Sequence, residues 1–498
     1  MSAVPSLRIQ KCNDAPVRPG GDYVLYWMIA NRRLRYNFAL DRALERCKAL
    51  GKPLLVFEAL RVGYRWASDR IHQFVLEGME DNRRTCEGIG ICYLAYVEEK
   101  PGEGKGLLQA LAAKACVLVT DEFPGFFLPQ MVASAAKQVN VLLEQVDSNG
   151  LFPIHATDQV FQRAFDFRRF LQKELPSQLG HFPAGQLLNS AELTAGAQID
   201  KKILQRWPMA SAEMLRGGTS SLAKLPIDHA VMPTGIRGGS GAAQRRMEKF
   251  FRNGLERYSE QRSEPEADAA SGFSPYLHFG HLSVHEVFAT LARKEGWKSE
   301  KLSLRATGSK EGWWNMSPSA ESLLDELIIW REVGYNFASH RKDYDEFESL
   351  PDWVRKTLGK HAKDEREHVY RLEEFESGKT HDALWNAAQM QLVREGRIHN
   401  YLRMLWGKKI LEWSPKPEAA AEIMIHLNNK YAIDGRNPNS YTGIFWVLGR
   451  YDRPWAPERP VFGTIRYMSS ENTARKFKVK RYVEKYTTNG SEQGRLDL

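Results

Sequence analysis

Short, unbroken apolar runs punctuate the first third of the chain: DYVLYWM at 22–28, PLLVFEAL at 53–60, IGICYLAYV at 89–97, CVLVTDEF at 116–123 and NVLLEQV beginning at Asn140. Runs this short and this continuously apolar read as strands buried on both faces. The stretches between them carry the helical period. From Tyr36 to Leu50, Phe38, Leu40, Ala43 and Leu44 share one face, and Ala67 to Met79 repeats the pattern. Strand, helix and strand in alternation predict a parallel sheet covered on both faces, with ligand clefts at the carboxyl ends of its strands. From about 160 to 225 the runs give way to Pro, Gly and polar residues, as in ELPSQLGHFPAGQ, which reads as a long linker or wrapping segment. Beyond it strand signals nearly vanish, and helical periodicity dominates 242–258, 281–295, 319–338, 381–412 and 417–431. The pattern therefore predicts an α/β domain over 1–160, a linker over 161–225 and a mostly α domain over 226–498, large enough to enclose a cofactor.

Composition narrows the class. The 498 residues are 43% hydrophobic and 26% charged, ordinary for soluble globular domains and unlike disordered or fibrous chains. No stretch approaches the roughly 18 apolar residues of a membrane span. The opening MSAVPSLRIQKCND lacks the apolar core of a secretory signal, so a cytoplasmic protein is expected. Five cysteines (Cys12, Cys47, Cys86, Cys92, Cys116) without a CxxC pair fit free thiols in a reducing compartment and give no metal spacing. Lys+Arg 70 against Asp+Glu 61 leaves a net charge of +9, which favours a phosphate-rich partner. Thirteen tryptophans and eighteen tyrosines suit stacking on bases, although a large core also holds many aromatics. Neither common nucleotide motif is present. Gly102, Gly104 and Gly106 follow no strand directly, and Gly378-Lys379-Thr380 lacks the upstream glycine of a P-loop.

Four segments of the helical half are unlike ordinary core. In SGFSPYLHFGHLS (271–283), hydroxyls and free N–H groups precede Pro275, an arrangement that suits a pyrophosphate and equally a capped helix start. In SAESLLDELIIWREVGYNF (319–337), Glu326 and Trp330 are four apart and share a face beside Arg331, either as a pocket carboxyl next to an indole or as a solvated face. The segment DALWNAAQMQLVREGRIHNYLRMLWGKKILEW (382–413) holds Trp385, Trp406 and Trp413, with His399, Asn400, Arg403 and Met404 among them. The last two indoles are seven residues apart on one face, about 10 Å along a helix. They are core packing, or an electron-hopping chain if a redox cofactor is present. Finally, HLNNKYAIDGRNPNSYTGIFWVLGRYDRPW (426–455) sets a polar, turn-rich run between apolar flanks, as loops lining a site do. The basic, aromatic stretch 459–486 after it is a solvated tail or part of a nucleic-acid groove.

Together these segments, with YWMIANRRLRYNFAL near the start, GKTHDALWNAAQ and RPVFGTIRYMS, resemble the photolyase/cryptochrome family, and specifically the class II cyclobutane pyrimidine dimer photolyases. The resemblance implies a Rossmann-like N-terminal domain for an antenna chromophore, a deazaflavin being the usual one, and a helical C-terminal domain that binds FAD. It implies light-driven splitting of pyrimidine dimers in UV-damaged DNA by fully reduced FAD, in a monomer. Residue by residue, Ser271, Gly272, Phe273 and Ser274 match the FAD phosphate loop, with Arg331 beside it, and Tyr258, Leu277, Asn400 and Gly435 fall among the cofactor contacts. Arg403 and Asp434 match a pair against the isoalloxazine, and Asn428 the class II asparagine near flavin N5. Glu326 matches the carboxyl that hydrogen-bonds the dimer; Trp330 and Trp446 match its aromatic walls and Met404 its floor. Trp385, Trp406 and Trp413 match the chain that reduces the flavin under light, with Trp406 nearest to it. The chain departs from the class pattern at Tyr451, Thr464 and Ser469, where His, Lys and Asn are usual. A cryptochrome-like light sensor with the same FAD and tryptophans is the alternative. A complete dimer pocket at Glu326, Trp330, Met404 and Trp446, and the lack of a long extension after Tyr486, favour repair.

Overall fold

The computed structural model describes residues 4–186 and 196–487; part of the linker read from the sequence, and the last residues of its helical domain, lie outside these. Six strands, β1 (Ile9–Lys11), β2 (Tyr23–Met28), β3 (Leu54–Leu60), β4 (Cys92–Val97), β5 (Ala115–Asp121) and β6 (Leu143–Val146), form one sheet in the order β1-β6-β5-β2-β3-β4. All neighbours are parallel except β1, which pairs antiparallel with β6. This three-residue edge strand was not legible, because IQK has no apolar pattern and is set by its partner. The five expected strands form, and the two central ones, β2 and β5, are buried along their whole length. Four helices intervene: α1 (Phe38–Leu50), α2 (Asp69–Ile89), α3 (Leu107–Ala112) and α4 (Leu128–Ala136). Asn37 starts α1 by accepting from the N–H groups of Ala39 and Leu40. α2 runs on past Met79 because its polar residues are paired inside: Asn82 donates to Glu58 at 2.9 Å, and Glu80 holds Arg83 and Arg84.

Strand order reverses between β2 and β5, where such sheets open their ligand crevice. Here Asp121, at the end of β5, already accepts from the N–H groups of Ile29, Ala30 and Asn31 at 2.8–3.0 Å and from the Tyr26 hydroxyl at 2.7 Å. The backbone donors that could grip an anionic ligand at that point are therefore taken by the protein's own carboxylate.

Packing divides the chain into two units that interleave along the sequence. The first comprises Met1–Gln159, Arg169–Phe251 and Gly272–Met316; the second comprises Val160–Arg168, Arg252–Ser271 and Ser317–Leu498. Most of the segment read as a linker, and the first part of the region read as helical domain, thus pack with the sheet. Met214, Leu215, Leu222 and Leu225 enter its core as isolated apolar anchors in polar surroundings, a pattern without a period for sequence reading to detect. The second unit is helical. Its principal helices are Pro318–Leu324, Arg331–His340, Ala383–Glu395, Asn400–Trp413, Pro417–Tyr431 and Pro438–Val447. The periodic stretch 381–412 is two helices, broken where Gly396 turns left-handed at φ +66° and closes the first of them. Among the described residues, no strand follows Val146 and no helix is long and apolar enough to cross a membrane.

Candidate active site

Between Pro318–Leu324 and Arg331–His340 the chain continues as a π-helix, Asp325–Trp330, a wider turn that recurs at functional sites. The α-periodicity of the sequence does not reveal this widening. Within a buried stretch, Ser322, Glu326 and Trp330 are the half-exposed positions, so carboxyl and indole share one face as their spacing predicts. The reading as a solvated face fails: Asp325, Arg331 and Glu332 are all buried. Asp325 serves the packing instead, paired with buried Arg168 at 2.7 Å. Glu326 keeps 31% of its side chain exposed and pairs with Arg262 at 2.5 Å. Arg262 in turn lies 5.6 Å from the ring centre of Tyr258, whose phenol is pushed up to about 12 by burial and by the negative charge of Glu326. Arg331 stacks on Tyr335 at 4.2 Å, and the Tyr335 hydroxyl accepts from Asn437.

A second group is built by the turn after Pro417–Tyr431. Arg436, buried and held at φ +65°, donates to the carbonyls of Asn429, Ala432 and Ile433 and so clamps the turn onto the helix end. Gly435 permits that approach: a Cβ there would stand 2.7 Å from the Asn428 carbonyl oxygen. The clamp fixes two residues. Asn428 is buried and donates to Ser440 at 2.6 Å and to Asn429 at 3.2 Å. Asp434 faces Arg403, but their nearest atoms are 3.8 Å apart, beyond hydrogen-bond distance. Asp434 Oδ1 and Arg403 Nε are both buried without a partner. Asn400, one turn before Arg403, is exposed, and Met404 is half-buried.

The three tryptophans are buried and wired together. Trp406 donates to Gln389 at 2.9 Å, and Trp385 donates to the Trp406 carbonyl at 2.9 Å. Trp385 meets Trp413 with ring centres 5.9 Å apart, and Trp413 meets Tyr370 at 5.7 Å and His381 at 4.9 Å. The helix break at Gly396 thus brings Trp385 of Ala383–Glu395 against the next helix at both of its tryptophans, by a hydrogen bond at Trp406 and ring to ring at Trp413. Half-buried Trp446 begins an alternating stack. Arg466 lies 5.9 Å from its ring and 4.9 Å from Trp455, and Arg453 covers Trp455 at 4.9 Å.

In the first unit, Gly272 (φ +71°) admits the guanidinium of Arg246, which a Cβ would meet at 2.6 Å. Phe273 anchors this loop against Phe250 at 5.1 Å. Ser274 opens the short helix Ser274–His278, is exposed, and precedes half-buried Leu277. Ser271 is half-buried and ends a segment of the second unit.

No protein-family model matches the chain. It is 33% identical over 480 residues to the deoxyribodipyrimidine photo-lyase of Methanothermobacter thermautotrophicus, covering 96% of this chain and 97% of that one. It is 34% identical to the enzyme of the same name from Arabidopsis thaliana, over 92% and 88% of the two chains. The chain belongs to the deoxyribodipyrimidine photo-lyase family. Its fold is also that of a class III photolyase from Agrobacterium tumefaciens (TM-score 0.66, 16% identity, 94% of this chain and 86% of that one). A cryptochrome from Synechocystis shares it too (TM-score 0.64, 16% identity, 93% and 88%).

Photolyases as a family bind FAD, and the residues present fit it. Asp434 keeps an unmet buried acceptor and Arg403, 3.8 Å from it, an unmet buried donor, the complement that the hydrogen-bonding edge of a flavin ring would satisfy. Sequence reading missed Arg262, Arg436, Gln389, Arg246 and Arg466. Arg262 and Arg246 act on residues far from them in sequence, so no spacing signalled them; Gln389, Arg436 and Arg466 lay within segments that stood out without being given a role. Trp455 and Arg453 lay within the polar, turn-rich segment that did stand out.

Proposed function

We propose that this chain is a class II photolyase that splits cyclobutane pyrimidine dimers in UV-damaged DNA with light, acting as a DNA-associated monomer. The likeness over the whole length of both chains to deoxyribodipyrimidine photo-lyases carries the reading. FAD, when bound fully reduced, supplies the photochemistry: it gives the electron that opens the cyclobutane ring and takes it back. The protein positions and stabilises. Arg403 and Asp434 would hold the ring edge, Asn428, fixed by its hydrogen bonds, would serve near N5, and Gly272 to Ser274 with Arg246 would receive the phosphates. Arg262, held by Glu326, would donate to the dimer carbonyls, where negative charge develops, and the Glu326 carboxylate would accept from a dimer N–H. Trp330 and Trp446 wall the dimer, over Met404. The lesion leaves the duplex to reach them, at a cost its weakened pairing reduces. The Arg466–Trp455–Arg453 stack offers guanidinium and indole faces to the opened strands. Trp413, Trp385 and Trp406, in that order, would pass an electron inward from the surface at Tyr370 and His381. A deazaflavin antenna is proposed for the sheet-containing unit.

Anaerobically reduced protein, mixed with an oligonucleotide bearing one thymine dimer, is expected to return intact thymines under blue light and none in the dark. Bound FAD that photoreduces without repair would instead assign the chain to light sensing.

A further inference from the structure

Lys408 takes no part in the flavin and dimer contacts proposed for this chain, yet it is fully buried. It lies one helical turn beyond Met404, on the face where Asn400–Trp413 approaches Pro438–Val447. Gly407 allows that approach, since a Cβ there would stand 2.7 Å from a Val447 methyl and 3.0 Å from Met424 Sδ. The Lys408 ammonium donates to the carbonyl of Val447, the last residue of its helix, where the unsatisfied carbonyls concentrate negative charge. It also stands 5.3 Å from the ring centre of Trp446. Arg466 attends the same ring at 5.9 Å. Among the described residues Lys408 forms no ion pair: its charge is met by one carbonyl and one indole. An ammonium so placed is costly to bury, and a position that keeps one has use for its charge.

We infer that Lys408 is a positioning residue for the lesion: its buried ammonium clamps the Val447 carbonyl and the Trp446 face, fixing that indole as the wall on which a pyrimidine dimer stacks. The inference rests on the repair reading. Loss of the charge would remove the cation–π contact and loosen the wall. Asp452 favours the charged form and Arg466 opposes it, while burial, the largest influence, brings the ammonium down to about 7. The clamp is therefore closed below neutrality and released as pH rises through that range.

The test is dark binding of a dimer-containing oligonucleotide, against its undamaged counterpart, from pH 5.5 to 9. Wild-type preference for the dimer is expected to fall about three- to tenfold with a midpoint near 7. K408M should show a low, flat preference and K408R a high, flat one, both with full FAD content. A K408M profile that keeps the wild-type step would overturn the inference. So would a flat wild-type profile with the dimer still preferred, which leaves the repair reading intact. No preference for dimers at any pH would overturn the repair reading, and this inference with it. If K408M fails to fold, the difference in tryptophan fluorescence between wild type and W446F reads the same titration. A step near 7 supports the clamp, and its absence overturns it.

Discussion

Glu326 is held by Arg262 at 2.5 Å and remains partly open to solvent, so it can meet a ligand without first being dug out of the core. Replacing it with alanine should leave FAD bound and cut the quantum yield of repair. A loss of about 1 kcal/mol of stabilisation slows splitting about fivefold; an unchanged yield would remove the proposed role. His281 carries a second expectation. Its Nδ1 accepts from Gly239 N–H at 3.0 Å and its ring is wedged against Gly78, fully buried, where an imidazolium would be poorly solvated. Burial, with Arg32 and Arg33 nearby, brings it down to about 3. A depressed pKa means stability that is complete above the unfolded value of about 6.5 and lost as pH falls toward the folded one. Denaturant midpoints should therefore drop between pH 6.5 and 3, and H281N should flatten that slope. At this scale the four-residue spacing of Glu326 and Trp330 made their shared half-exposed face legible, and turn chemistry marked out the run that holds Asp434. The sequence was silent on Arg262, whose role exists only through Glu326, distant in the chain.

The two helices that cross at Trp385 and Trp406 show how an element places chemistry. Seven-residue spacing set Trp406 and Trp413 on one face about 10 Å apart, and both do lie on one helix, Asn400–Trp413. The break at Gly396 folds Trp385 back, so that it donates to the Trp406 carbonyl and meets Trp413 ring to ring. Both W406F and W385F are thus expected to abolish photoreduction of oxidised flavin while sparing repair by chemically reduced enzyme. Loss of both activities in either variant would make that indole structural. The turn after Pro417–Tyr431 is equally demanding. A Cβ on Gly435 would press the Asn428 carbonyl, so G435A should cost about 1–3 kcal/mol and weaken flavin retention, read by denaturation and by the flavin-to-protein absorbance ratio. The π-helix at Asp325–Trp330 and the break at Gly396 lay beyond sequence reading, since both keep an apolar rhythm that an unbroken α-helix would also show.

For the whole molecule, alternating strands and helices were legible because parallel strands buried on both faces leave continuous apolar runs. The packing units were not, because residues 169–251 and 272–316 join the sheet through scattered anchors and lone hydrogen bonds, such as Arg33 to the Gly280 carbonyl at 3.0 Å. The net charge of +9 and the Arg466–Trp455–Arg453 stack predict binding that weakens steeply with salt. Replacing Arg453 and Arg466 with alanine should lower the slope of log affinity against log salt by about 0.9 for each phosphate that is no longer neutralised. An unchanged slope would place the DNA elsewhere. The central claim is repair itself, and the most direct measurement is the return of thymine monomers from a dimer in a short duplex, by anaerobically reduced protein, with and without blue light. The account predicts return in the light alone, abolished on removal of FAD; a protein that holds FAD, binds the lesion and leaves it intact under illumination would contradict it.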